Sequence, residues 1–131
     1  MAKAIHSMIR VYDLDRSISF YKEALDLDVA ERFDFDGFTL VYLRNSENDF
    51  ELELTHNHDQ QEPYTHGSGY GHLAVCVEDV AQTQAVLRDK GYEPADVKEF
   101  FREGSLMARF FFVTDPDGYK IEFLEKHGRY Q

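Results

Sequence analysis

The sequence predicts an α+β fold made of two βαβββ modules. Three observations carry that expectation. Short runs rich in β-branched and aromatic residues alternate apolar with polar side chains, which is strand periodicity. Two longer stretches follow an aspartate and repeat apolar residues at three- and four-residue spacing, the pattern of a capped helix. The order of these elements then restarts halfway along the chain.

In the first module, Ala4 to Tyr12 alternates and reads as a strand. Asp13 or Asp15 caps a helix whose inner face is Leu14, Ile18, Tyr21 and Leu25. Val29 to Phe35 and Phe38 to Leu43 form a hairpin across Asp36-Gly37. Asn45 to Asp49 is a polar turn, and Phe50 to Thr55 is the fourth strand. A polar connector from His56 to Gly69, with His, Gln, Gly and Pro, separates the halves.

The second module opens with a strand from Tyr70 to Val77. Glu78-Asp79 starts a helix over Val80 to Lys90, ended by Gly91. Tyr92 to Val97 is strand-like, Lys98 to Gly104 is a charged loop, and Leu106 to Thr114 is a strand. Asp115-Pro116-Asp117-Gly118 is a strong turn signal, because Pro presets φ and Gly supplies φ > 0. The last strand is Tyr119 to Glu125. Its alternation is too short to say which set faces a core. The boundaries are one domain over 1–131, with module 1 at about 1–58 and module 2 at about 68–126.

Composition bounds the function. A chain of 131 residues with 43% hydrophobic and 15% aromatic residues has enough apolar material for a folded core. No apolar run approaches the ~18 residues of a membrane span, and the start shows no signal-peptide pattern. A cytoplasmic location is the expectation, with no membrane partner. The net charge of −11 argues against a nucleic-acid partner, whose phosphates it would repel. Cys76 is the single cysteine, so no internal disulfide forms; its apolar neighbours predict a small buried hydrophobe.

The restart has a register. Val11-x-Asp13-Leu14 recurs as Val77-x-Asp79-Val80, 66 residues later, and His6 recurs as His72 at the same offset. Glu53 and Glu122 stand at mid-strand 69 residues apart, the same offset within loop tolerance. Each module thus supplies one imidazole and one carboxylate from rigid strands. Two His and two Glu suit a divalent ion such as Zn, Ni, Co, Mn or Fe(II), and leave positions open for substrate. His56, His58, His66 and His127 have no counterpart in the repeat and are expected to be solvated.

His6-Ser-Met-Ile-Arg-Val with Asp-Leu-Asp-Arg-Ser-Ile-Ser-Phe-Tyr, then Glu53-Leu-Thr-His-Asn, Tyr-Gly-His72-Leu-Ala and Asp-Pro-Asp-Gly-Tyr-Lys-Ile-Glu122, resembles glyoxalase I (lactoylglutathione lyase). That family lies in the vicinal-oxygen-chelate superfamily, whose βαβββ modules pair into curved mixed sheets. The resemblance spans nearly the whole chain. It implies an enzyme that isomerises the hemithioacetal of methylglyoxal and glutathione to S-lactoylglutathione, detoxifying the aldehyde by proton transfer. It implies one divalent metal per site, Ni2+ or Co2+ rather than Zn2+, with glutathione as co-substrate. His6, Glu53, His72 and Glu122 match its metal ligands. Glu122 matches the catalytic base, with Glu53 its counterpart. Arg10 and Asn57 match residues that hold the glutathione moiety. A homodimer is implied, each site joining His and Glu of one chain to His and Glu of the other.

The chain departs from the family at Phe101-Arg102-Glu103-Gly104-Ser105, where a Lys-Gly-Gly-like loop is usual; Arg102 stands in for the basic group. Two other superfamily activities compete: an acyl-CoA epimerase, whose metal set usually carries Gln in place of one carboxylate, and a ring-cleaving dioxygenase with three ligands. A non-catalytic small-molecule or antibiotic-binding protein is the rival from another class.

Overall fold

Two aspartates start the two helices. Asp13 accepts a hydrogen bond from the Arg16 N–H at 3.1 Å, and Asp79 accepts one from Gln82 at 3.0 Å. Each satisfies a donor that the first helical turn leaves open. The computed structural model describes residues Met1 to Gln131. It divides into two units, Met1–Gly67 and Ser68–Gln131.

Unit 1 runs β1 (His6–Arg10), α1 (Leu14–Leu25), β2 (Asp28–Phe35), β3 (Phe38–Arg44) and β4 (Glu51–Asn57). Its sheet has the order β1-β4-β3-β2, with β1 parallel to β4 and the other pairs antiparallel. Asp36-Gly37 makes the expected hairpin, with Phe35 facing Phe38 and Gly37 at φ 89°. The helix buries Leu14, Ser17, Phe20 and Tyr21, so its inner stripe is rotated from the expected one; Ile18 and Leu25 are only half-buried. The two adjacent rings, Phe20 and Tyr21, are both below 3% exposed and set that rotation. Against them lie Ile9, Val11, Val41, Leu43, Leu52 and Leu54, also buried. At ~2 kcal/mol per buried side chain, this one face accounts for most of the unit's hydrophobic stabilisation.

Unit 2 repeats the plan with β5 (Leu73–Val77), α2 (Val80–Asp89), β6 (Lys98–Arg102), β7 (Ser105–Thr114) and β8 (Lys120–Glu125). The sheet order is β5-β8-β7-β6, again with only the first pair parallel. Gly91, at φ 90°, ends α2 as expected. Ile121 and Phe123 of β8, with Tyr119 just before it, form the core-facing set, and Phe123 stacks on Phe111 with ring centres 4.9 Å apart. Leu124 is buried as well, in a smaller cluster with Ala108 and Phe110, packed by Phe112 and Tyr130.

Four expectations are corrected. The second strand of module 2 is Lys98–Arg102, where a charged loop was expected, and residues 92–97 hold no strand. Pro94 cannot donate to a ladder, whereas Lys98 to Arg102 pair with β7. Glu103 and Gly104, at φ 51° and 81°, form the two-residue turn between them. The connector is shorter, because β4 continues through His56 and Asn57. Cys76 is exposed, because β5 is an edge strand; its thiol donates to the Tyr130 carbonyl at 3.5 Å. Of the non-repeat histidines, His58 and His127 are exposed as expected while also meeting the Thr39 hydroxyl at 2.8 Å and the Leu106 carbonyl at 2.9 Å; His56 and His66 are instead half-buried, and His56 meets the Val11 carbonyl at 3.3 Å. No helix is long and apolar enough to cross a membrane.

Candidate metal centre

Each sheet carries one carboxylate at the middle of an inner strand. Glu53 on β4 lies between Met8 of β1 and Tyr42 of β3. Glu122 on β8 lies between Ala74 of β5 and Phe112 of β7. Strand alternation turns both away from the face that packs the helix, since their neighbours Leu52, Leu54, Ile121 and Phe123 fill the core. Neither is well solvated: the side chains are 11% and 15% exposed. A carboxylate so enclosed needs a partner.

The partner is a histidine at the head of the neighbouring parallel strand: His6 opens β1, and His72 immediately precedes β5. His6 Nε2 stands 3.0 Å from Glu53 Oε2, and His72 Nε2 stands 3.1 Å from Glu122 Oε2. Both imidazoles are held edge-on by a ring from the third strand. His6 meets Tyr42 with centres 5.7 Å apart and planes at 73°; His72 meets Phe112 at 5.2 Å and 85°. The two units therefore hold the same half-site in the same way, with two differences: Met8 flanks Glu53 where Ala74 flanks Glu122, and the third-strand ring carries a hydroxyl only in unit 1. Burial, and then hydrogen bonding to the Glu53 carboxylate, hold the Tyr42 phenol above its ordinary value. Phe112 has no such hydroxyl.

The turn that launches β8 is tied down by Asp115. Its Oδ1 accepts from the Asp117 and Tyr119 N–H groups, both at 2.9 Å, and Asp115 is 4% exposed. The rigidity of this turn fixes where Glu122 enters the sheet.

Each half-site presents one imidazole nitrogen and one carboxylate oxygen, a donor pair that suits borderline divalent metals. No group of three or more His, Cys, Asp or Glu side chains gathers within the chain. The residues present thus fit a metal as two half-sites, and neither alone completes a coordination shell. Arg10 continues the β1 face that carries His6, beside Thr55 of β4, and is exposed. Asn57 ends β4 on the face of Glu53, and its amide donates to the Tyr64 hydroxyl at 3.2 Å. Arg102 is exposed at the end of β6, opposite Ser105. On the helix side of the unit 1 sheet, an open cleft of roughly 500 Å³ is lined in part by Tyr12, Arg32, Asp34, Thr39 and His58. Sequence reasoning missed Tyr42 and Phe112; counting back through the two hairpins from each glutamate finds both.

Residues 3–123 match the family described as Glyoxalase/Bleomycin resistance protein/Dioxygenase superfamily. The chain belongs to this superfamily. Its relatives in that superfamily include a probable lactoylglutathione lyase of Synechocystis, 39% identical over 126 residues that cover 92% of this chain and 93% of the relative. The lactoylglutathione lyase of Haemophilus influenzae is 40% identical, with 92% and 90% covered. Among solved structures, the trypanothione-dependent glyoxalase I of Leishmania major superposes with a TM-score of 0.76 at 38% identity, over 96% of this chain and 88% of that one. The two βαβββ modules with their mixed four-stranded sheets are the glyoxalase fold.

Proposed function

We propose that the chain is a metal-dependent lactoylglutathione lyase. It isomerises the hemithioacetal of methylglyoxal and glutathione to S-lactoylglutathione. The observation that carries this is the His–Glu pair standing at the same register in two repeated sheets, in a chain with lactoylglutathione lyases among its relatives. His6, Glu53, His72 and Glu122 would hold the metal. A second copy of the chain completes each site, one pair from each protomer, which accords with half-sites of two donors. When bound, Ni2+ or Co2+ supplies a Lewis acid for the charge that develops on the substrate's two adjacent oxygens.

The remaining chemistry belongs to the side chains. Glu122 takes the proton from the carbon bearing sulfur and delivers it to the adjacent carbon, while the hydroxyl proton passes from the oxygen of the first carbon to that of the second, so no atom is gained or lost. Phe112 and Ala74 flank it with apolar surface, which keeps water from competing for that proton. Arg10 and Asn57 hold the glutathione moiety, and Arg102 supplies positive charge for one of its carboxylates. The chain works in the cytoplasm.

The test is thioester formation, followed by absorbance, from methylglyoxal and glutathione after reconstitution with Ni2+, Co2+, Zn2+ or Mn2+. Turnover with at least one metal is expected. Silence with every metal, in a preparation shown to bind them, refutes the assignment.

A further inference from the structure

The two half-sites match in backbone register and ring geometry, and differ in the first-strand neighbour of the glutamate, Met8 against Ala74, and in one hydroxyl on the third strand. Tyr42 faces Glu53 across β3 and β4; Phe112 faces Glu122 across β7 and β8. Both rings meet the adjacent histidine edge-on, with centres 5.7 and 5.2 Å away. With the histidine nitrogen turned to a metal, a carboxylate approached by a phenol still has one fixed donor and little freedom to rotate. A carboxylate facing a phenyl ring has no such donor from that ring. Hydrogen-bonded outer groups orient metal-binding carboxylates and strengthen binding. They also occupy the lone pairs that a proton acceptor needs.

We propose that Tyr42 is a positioning residue that makes the two glutamates unequal: its hydroxyl holds Glu53 as a fixed ligand and leaves Glu122 as the carboxylate free to carry the proton. This rests on the lyase assignment above for the proton, and on the half-sites alone for the metal. It gives a physical reason, within this chain, for an asymmetry that the repeat itself does not supply.

Tyr42→Phe and Phe112→Tyr test it, each alone and combined with Glu53→Gln or Glu122→Gln. Phenyl for phenol at a half-buried strand position keeps the ring contact, so the fold is retained; circular dichroism checks this. Co2+ titration of the metal-free protein, with the visible Co2+ spectrum, reads the ligand role without turnover. Tyr42→Phe is expected to weaken Co2+ binding about ten-fold and shift the spectrum. In turnover, Tyr42→Phe/Glu122→Gln is expected to exceed Glu122→Gln alone by about ten-fold, because the released Glu53 can now serve as base. Phe112→Tyr should lower turnover while tightening Co2+ binding. Unchanged Co2+ affinity in Tyr42→Phe overturns the proposal, as does a double variant no faster than Glu122→Gln. A wild-type chain that binds Co2+ but isomerises nothing refutes the lyase assignment instead, and the Co2+ comparison still decides the role of Tyr42.

Discussion

Replacing Asp115 with alanine removes the acceptor at the foot of β8. Two N–H groups lose their partner, those of Asp117 and Tyr119, each now bound at 2.9 Å. The Tyr119 donor is enclosed, since Tyr119 is 8% exposed, whereas Asp117 can recover a hydrogen bond from water. A hydrogen bond to a charged acceptor contributes about 1.5–3 kcal/mol, and an enclosed donor left without one costs about as much again. With partial recovery at Asp117, the expected loss is ~3 kcal/mol. For a chain of this length, that lowers the melting temperature by roughly 10 °C. Scanning calorimetry on Asp115→Ala and Asp115→Asn measures it. The asparagine retains an uncharged acceptor oxygen and should lose about half as much. An alanine variant melting within about 2 °C of wild type would show that the turn holds itself through Pro116 and Gly118 alone.

Glu122→Gln should lower turnover by about 100-fold or more, removing ~3 kcal/mol of transition-state stabilisation while leaving the melting temperature unchanged; near-normal turnover would remove Glu122 as the base. Arg10→Ala should raise KM for the glutathione adduct about ten-fold, the ~1.4 kcal/mol of one charge-assisted contact, and an unchanged KM would place the anion elsewhere. Glu103 sits at φ 51°, where a side chain is strained, so Glu103→Gly should raise the melting temperature by a few degrees, about 1 kcal/mol; a lower value contradicts that account of the turn. The Asp34 carboxyl is held below its ordinary 3.8 by hydrogen bonds from Arg32 and then Thr39. A lowered folded value means stability present above 3.8 and lost as pH falls through it, so Asp34→Asn should flatten the acid limb of stability below that pH. Coinciding acid limbs for the two proteins would refute the linkage.

Much of the fold was legible because it rests on local chemistry. Asp13, Asp79, Gly91 and Asp36-Gly37 each specify a cap or turn within a few residues, and the structure uses all of them. The histidines and glutamates were legible because a repeat turns single coincidences into matched pairs. Two of the failures, β6 and Cys76, lie at sheet edges. Lys98-Glu99-Phe100-Phe101-Arg102 is exposed along its whole length, so no burial alternation marks it as a strand. Its turn hides behind Glu103, a residue type rarely found at positive φ. Cys76 looked buried because β5 is apolar, and apolarity alone does not say how many neighbours a strand has. Tyr42 was invisible for a further reason: its meaning comes from a residue on another strand.

The parallel pairing within each unit has a kinetic consequence. His6 to Glu51 spans 45 residues, and Ala74 to Glu122 spans 48. Closing either loop costs about 3.4 kcal/mol of chain entropy in its length-dependent part, before any contact within the pair repays it. The two closures are thus nearly equal uphill steps, each following hairpins that form locally. Since loop closure precedes reward from distant contacts, the arrival of β1 beside β4 and of β5 beside β8 governs the pace of folding. The histidine and glutamate of each half are brought together by that same late step.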